Sequence, residues 1–477
     1  MLQKITFPAL LTLIILLSSL NTTSQEFIRS ELPTTIATPW EITYGPDHHL
    51  WLTEKNGVVS RVNPTTGAKQ LVFTAPDYFA GDPVENNPDC PTRAIQHGTL
   101  GLSLHPDFLN SPFIYFTHSY NSQATLVEPK TAFKIRRLHW DPVSETVIGD
   151  TTIFENIPTG YDHLGGRLMA VKQNGKEYIY FSVGDLGISE DNSPDCYNPQ
   201  SGNPNNFTMD PTTMNGKIHR INLDGTVPAS NPIPGNSLFT MGHRNPQGLM
   251  FNTPLESMYD VEHGDRTDDE INQLIPGQNY GWKQVRGFYS DGNFPGEENF
   301  VNTYTPPASM PNTSIEDPLF SWCSTPPDSS AGYLDWCTIA PSDGVYYGTN
   351  GDIVAWRNSF LVVTLKDGAI TDRSVHFIPL NGDGSVNQNS PKLDTNYFAG
   401  DQALNGRLRD IAISLDGSQI YLINNGGTDR DKITVYNYIP NSIDEFANAG
   451  ISIGPNPFSD EIQISGSSLN VPSRVFN

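Results

Sequence analysis

The sequence predicts an all-β protein, a six-bladed β-propeller of four-stranded antiparallel blades. Three observations lead there. The 477 residues include 40 Gly and 38 Pro, with 10% aromatic and 17% charged residues, a mixture that favours short strands and turns over helices. One local pattern recurs six times along the chain: an apolar strand, a Pro-Asp or Asp-Gly turn, and a second strand rich in Tyr, Trp or Phe. No strand-then-helix alternation accompanies it. The nearest approach to a dinucleotide loop, NGDGSVN from Asn381, lacks its third glycine, and the chain has no Walker loop, HExxH or GxSxG.

In order, the six copies are EITYGPDHHLWLTE from Glu41, LSLHPDFLNSPFIYFTH from Leu102, RLMAVKQNGKEYIYFSVGD from Arg167, GLMFNTPLESMYDVEHGD from Gly248, GDIVAWRNSFLVVTLKDG from Gly351 and RDIAISLDGSQIYLINNGG from Arg409. A single meander sheet cannot bury both faces, whereas sheets stacked radially can. A sandwich or a pair of barrels is the competing architecture, and it accounts less well for a sixfold recurrence. The propeller is expected over residues 30–440. The longest gaps, 191–215 and 288–336, read as functional loops.

The ends of the chain carry other signals. One Lys in MLQK precedes the uncharged run Ile5–Leu20, the layout of a secretory signal peptide over residues 1–24. A membrane anchor is the alternative, and the shortness of the run and Pro8 count against it. Four cysteines fit an exported chain with paired thiols. Cys323 and Cys337 flank one loop and are expected to pair, leaving Cys90 with Cys196; free thiols are the alternative. After a linker at 441–450, ISIGPNPFSDEIQISG from Ile451 resembles the opening of a type IX secretion sorting domain. The resemblance implies that residues 451–477 engage secretion machinery. The chain ends at Asn477, short of a whole module of that kind.

Lys and Arg number 28 against 52 Asp and Glu, a net charge of −24. That field excludes nucleic acid as a partner. Against this acidic background, three cations recur at blade edges: Lys366 ends the fifth copy, and Arg407 and Arg409 open the sixth. Arg244 and Asn245, in GHRNPQGL, open the fourth. If the blades are equivalent, these positions gather at one mouth of the central channel as an anion-binding ring; scattered surface charge is the alternative for any one of them. In TGYDHLGGRL, Asp162 and His163 sit among glycines that let a backbone approach a ligand, and an imidazole oriented by a carboxylate suits a general base near neutral pH. A solvated loop is the plainer reading of such a pair. EHGDRTDDE, from Glu262 to Glu270, is oxygen-rich with a turning glycine, which suits Ca²⁺ or a solvated acidic loop.

Seven segments stand in one order over roughly Trp40 to Tyr438: QHGTLGLSLHPDF from Gln96, YDHLGGRL from Tyr161, GHRNPQGL from Gly242, DDEINQLIPGQNYGW from Asp268, WCTIAPS from Trp336, LKDG from Leu365 and GRLRD from Gly406. In that order they resemble the soluble quinoprotein glucose dehydrogenases. The resemblance implies a six-bladed propeller that binds pyrroloquinoline quinone (PQQ) with Ca²⁺ and oxidises the anomeric carbon of an aldose. By the same resemblance His163 is the general base and Asp162 its positioning neighbour. Arg244 and Asn245 contact the quinone, and Lys366, Arg407, Arg409 and Thr338 hold the cofactor. Gln96, Asp162, Asp185, Glu190, Tyr333 and Trp336 contact the sugar or line its pocket. Gly264 and Asp265 offer carbonyls to the cofactor's Ca²⁺, and Glu270 and Tyr280 lie near a second calcium. Two positions depart from the pattern: Asp265 stands in place of a proline, and Glu190 in place of an amide that approaches the sugar. A same-fold dehydrogenase of other sugar-derived substrates, such as sorbosone, and a non-catalytic binding propeller are the other readings. The electron acceptor is not legible, and a homodimer is compatible with the sequence.

Overall fold

The computed structural model describes residues 26–81, 96–122, 131–160, 162–186, 207–324, 337–366, 371–426 and 430–440, with the backbone of 452–455 and 462–465. The apolar N-terminal run, Cys90, Cys196, the 441–450 linker and most of the C-terminal tail fall outside the described residues, as do Glu190, Tyr333 and Trp336.

Six four-stranded antiparallel sheets are present among the described residues. Blade one is Pro39–Tyr44, Leu50–Glu54, Val58–Val62 and Lys69–Thr74. Blade two is Thr99–Leu104, Phe113–Asn121, Thr131–Asp141 and Thr146–Pro158. Blade three is Leu168–Gln173, Lys176–Val183, Lys217–Asn222 and Leu238–Met241. Blade four is Pro246–Asn252, Ser257–Glu262, Asp269–Gln273 and Phe320–Trp322. Blade five is Pro341–Tyr347, Ser359–Thr364, Val375–Pro379 and Thr395–Tyr397. Blade six is Leu408–Ile413, Gln419–Asn424, Ile433–Ile439 and, from the start of the chain, Glu26–Glu31.

The first strands of successive blades lie against one another, and that of blade six against that of blade one, so the ring closes. By its contacts the chain divides into Glu31–Val435, which holds the ring, and a second unit of Met1–Ser30 with Tyr436–Asn477. Within the first unit the Leu32 N–H donates to the Ile433 carbonyl at 3.0 Å, joining the two ends of the ring. Within the second, Ser452–Pro455 pairs antiparallel with Ile462–Ser465.

Alternation along each strand sends one face toward each neighbouring blade, and the apolar residues meet there. Trp51, Phe116 and Trp140 fill the layer between blades one and two. Tyr180, Phe239, Leu249 and Met258 fill that between three and four, and Tyr259, Phe360 and Val362 that between four and five. One predicted repeat begins elsewhere than expected. In the fifth copy, the apolar Ile353–Trp356 stretch forms a 3₁₀ turn at Val354–Trp356 rather than a strand, and the first strand is the more polar Pro341–Tyr347. The Cys323–Cys337 bridge is present, with Cα atoms 5.3 Å apart.

At the axis the first strands bring charge together. Arg167 is fully buried, and its guanidinium ion-pairs with Glu41 of blade one, Asp343 of blade five (3.5 Å) and Asp410 of blade six (3.1 Å). It also donates to the carbonyls of Gln247 in blade four (2.9 Å) and Ser342 in blade five (3.1 Å). Its ring-facing carbon lies 4.2 Å from the Trp40 indole centroid.

Candidate active site

His163 precedes, and Asp185 follows, the hairpin made by the first two strands of blade three, whose register pairs Leu168 with Phe181. The hairpin returns the chain to its starting level, and His163 Nδ1 lies 2.7 Å from Asp185 Oδ1. Asp185 has no exposed surface. Its second oxygen accepts the Trp282 Nε1–H at 2.8 Å, and its backbone N–H donates to the Arg244 carbonyl at 2.7 Å. With Asp185 accepting, Nδ1 carries the imidazole proton and Nε2 is the basic nitrogen. His163 itself sits in the left-handed region at φ +49°, a backbone state that non-glycine residues rarely adopt and that clusters at functional sites. A Cβ on Gly184 would lie 1.9 Å from the His163 carbonyl oxygen, so the close approach of these segments requires glycine there.

Asp162 meets the backbone of His163: its Oδ1 accepts the His163 N–H at 2.8 Å and the Gln96 side-chain amide. Asp185 meets the imidazole. Asp185 was expected among the sugar contacts; it is buried, with its two oxygens on His163 and Trp282.

The predicted cations do come together. Arg244 is buried, donates its Nη1 to the His263 carbonyl at 2.9 Å, and has its guanidinium carbon 5.4 Å from the Trp282 ring centroid. Asn245 Oδ1 accepts from Gln247 Nε2 at 2.8 Å, and Gln247 Oε1 accepts from Arg409 Nη2 at 2.8 Å, so one glutamine ties blades four and six. Arg407 Nε donates to the Leu365 carbonyl at 3.0 Å, and Lys366 Nζ approaches Thr338 Oγ1 at 3.5 Å. Burial, then the neighbouring charges of Arg167 and Arg407, bring Arg409 down to about 9, against a partial offset from Asp410 and Asp343. His263 falls to about 3 through burial and then the charges of Arg244, His163 and Arg409, which puts these four groups in one electrostatic neighbourhood. Lys55, brought to about 8 by burial and by Arg409, adds a blade-one cation.

The oxygen-rich loop is clamped from both sides. Asp269 Oδ1 accepts the Gly264 N–H at 2.9 Å, and its Oδ2 accepts the N–H groups of Ile339 and Ala340 at 2.6 and 2.9 Å. A Cβ on Gly264 would lie 1.9 Å from the Thr267 carbonyl oxygen. Gly264, Asp265, Glu270 and Tyr280, the four expected metal positions, line one small cavity whose walls also include Arg244 and Trp282. Within it Glu270 Oε1 accepts the Gly287 N–H at 2.7 Å, and the Tyr280 hydroxyl accepts the Ile275 N–H at 3.0 Å and donates to the Gln273 carbonyl.

Sequence reasoning passed over Trp282, His263, Gln247 and Lys55. Trp282 ends the QNYGW segment and Gln247 lies inside GHRNPQGL, so both stood within segments already marked; Lys55 follows the second strand of its blade much as Lys366 does in blade five. His263 carried no signal beyond its place in the acidic loop.

Against known proteins, the family model described as glucose/sorbosone dehydrogenase matches residues 36–433. The chain is 30% identical over 469 residues to the quinoprotein glucose dehydrogenase B of Acinetobacter calcoaceticus, covering 88% of this chain and 90% of that one. The PQQ-bound aldose sugar dehydrogenase of Streptomyces coelicolor shares the fold at a TM-score of 0.59 and 22% identity, covering 87% of this chain and 99% of that one. The apo-form of the soluble aldose sugar dehydrogenase of Escherichia coli does so at 0.61 and 22%, covering 87% and 100%. With a family model spanning the ring and a relative matched across nearly its whole length, the chain belongs to the glucose/sorbosone dehydrogenase family of oxidoreductases.

Proposed function

We propose that the protein is a quinoprotein sugar dehydrogenase that oxidises the anomeric hydroxyl of an aldose to a lactone with PQQ and Ca²⁺. The observation that carries this reading is the buried His163–Asp185–Trp282 chain, set in the same neighbourhood as Arg244 and Arg409. The names of relatives that bind PQQ or oxidise glucose support it.

The residues fit such a group. Among the described residues Arg409 Nε is buried without a hydrogen-bond partner, and its guanidinium is held among other cations, so an anion there relieves a cost the fold carries. Lys366, Arg407 and Arg409 would hold the cofactor's carboxylates with Thr338 beside them, Arg244 and Asn245 would meet the quinone, and Gly264 and Asp265 would supply carbonyls to Ca²⁺. When bound, PQQ with Ca²⁺ supplies the polarised two-electron acceptor, which is the redox part of the chemistry. The chain's own residues do the rest. His163 Nε2 takes the anomeric hydroxyl proton, and Asp185 holds Nδ1 and stabilises the imidazolium that results. Trp282 fixes Asp185 from the other side, and the buried floor keeps water from competing for the proton. Arg244 keeps a fixed positive charge in the pocket, where it costs no reorganisation during reaction.

Export belongs to this reading: the apolar Ile5–Leu20 run and the Cys323–Cys337 bridge both suit an oxidising compartment. Among the described residues no helix is long and apolar enough to cross a membrane. The test is to add PQQ and Ca²⁺ to purified protein and follow dye reduction with glucose, other aldoses, sorbosone and simple alcohols. Aldose-dependent turnover is expected, and His163→Ala should retain bound PQQ while losing about 10²–10⁴-fold in turnover. Turnover with sorbosone alone would replace the aldose with that substrate class. No turnover with any of them, or an active His163→Ala, ends the proposal.

A further inference from the structure

Blade four carries a second charged cluster, next to Glu270 and Tyr280, that takes no part in the proton transfer above. In its middle strands the register sets Asp260 opposite Asn272 and Glu262 opposite Glu270. Tyr259, Val261 and Ile271 alternate with them and enter the core facing blade five, so the four polar residues share the face that sends Met258 toward blade three. His243 closes over this face. Its Nδ1 lies 3.1 Å from Glu262 Oε1 and 3.3 Å from Asp260 Oδ2, its Nε2 lies 2.8 Å from Thr240 Oγ1, and its ring stacks on Tyr280 at 4.7 Å.

The two carboxylates differ in how they are satisfied. Glu262 accepts the Arg244 backbone N–H at 2.9 Å and the Asn272 amide at 2.9 Å as well as facing His243. Asp260 has no exposed surface, and among the described residues neither of its oxygens, nor the equally buried Asn272 Oδ1, has a partner at hydrogen-bonding distance and angle. Burial, then the charges of Glu262 and Glu270, push Asp260 well above the usual carboxylate range, although Asn272 stands close enough to lower its pKa. An unpaired buried carboxylate is costly unless a proton or a cation balances it. The ligand atoms of His243, Asp260 and Glu262 lie within 4.8 Å of one another.

We propose that Asp260, Glu262, Asn272 and His243 hold a divalent cation between blades three and four. Two carboxylates balance its charge. Four oxygens, two from Asp260 and one each from Glu262 and Asn272, with a single imidazole nitrogen, select an oxygen-preferring ion of the calcium or manganese class over one that seeks sulfur and nitrogen. His243 binds through Nδ1, with the Nε2 proton donated to Thr240 Oγ1, the outer-shell contact that orients a ligating imidazole. Because Glu262 also accepts the Arg244 N–H, the ion anchors the strand end that carries Arg244. Its ligands do not include Gly264, Asp265, Glu270 or Tyr280, although Glu262 lines the same cavity as those four and Asn272 Nδ2 donates to Glu270 Oε2 at 3.2 Å; the proposal stands whether or not PQQ is the cofactor.

The experiment uses cofactor-free full-length protein, stripped with chelator, dialysed separately against calcium, manganese or zinc, desalted, and assayed for bound metal and thermal unfolding. Wild type is expected to retain one more calcium or manganese ion per chain than Asp260→Asn, and to gain thermal stability on reloading that the variant does not gain. Asn272→Ala, which removes a neutral donor, should weaken calcium retention at least tenfold and serves if Asp260→Asn does not fold. Equal ion counts and equal calcium responses in wild type and the folded variant overturn the site. Retention of zinc alone overturns the oxygen-preferring assignment.

Discussion

Arg167 and Arg409 stand over the same indole, 4.2 and 4.5 Å from the Trp40 centroid, yet the protein treats them in opposite ways. Arg167 is held by Asp343, Glu41 and Asp410, which together raise its affinity for its proton despite burial. Arg409 is buried among Arg167 and Arg407 and is brought down to about 9. One guanidinium has its counter-charges in direct ion pairs, whereas the other is offset only partly by Asp410 and Asp343. On the function proposed above, the first cation is architectural and the second is addressed to an anion.

Replacing each arginine should therefore give contrasting results. Arg167→Met leaves three buried carboxyls without their partner and should destabilise the protein by about 3–5 kcal/mol, seen as a large fall in the denaturant midpoint; an unchanged midpoint breaks the comparison. Arg409→Gln should leave the cofactor-free melting temperature unchanged or raised, while PQQ affinity falls roughly 10–100-fold, the loss of one charge-assisted contact of about 1.5–3 kcal/mol. A variant that melts early but binds PQQ normally would make Arg409 architectural too. The smallest effect belongs to Lys55. Its folded value of about 8 lies below that of a free lysine, so between about pH 8 and about pH 10.4 the unfolded chain binds more protons and stability rises with pH. In cofactor-free protein, Lys55→Met should remove that component of the rise, and bound PQQ should flatten it in the wild type. A rise of the same size in the variant would remove Lys55 from the set of cations around Arg409.

The blade count was legible because each blade announces itself through a local hairpin, and five of the six copies open in, or one residue before, the first strand of a blade. The fifth failed for a physical reason. Its first strand, PSDGVYY, is polar near its start because the Asp343 carboxylate faces Arg167 at the axis and the Ser342 hydroxyl donates to the Leu408 carbonyl of blade six at 2.8 Å, whereas Trp356 in the 3₁₀ turn is buried against Tyr347 and Tyr397 and so mimics a strand. The cation set was legible because basic residues are scarce in so acidic a chain. The partner of His163 was harder: Asp185 is 22 residues away, and only the hairpin pairing predicts their meeting. Trp282, 97 residues from Asp185, depends on how two blades sit together, which no local pattern encodes.

Most propeller contacts join a blade to its two neighbours, so a ring of this kind has no inherent reason to come apart all at once. The Arg167 guanidinium changes that, since from its place at the head of blade three it touches blades one, four, five and six. Peeling blade one, five or six away strands charge in the centre, and these sheets are thereby keyed to a single spindle whose removal loosens them together.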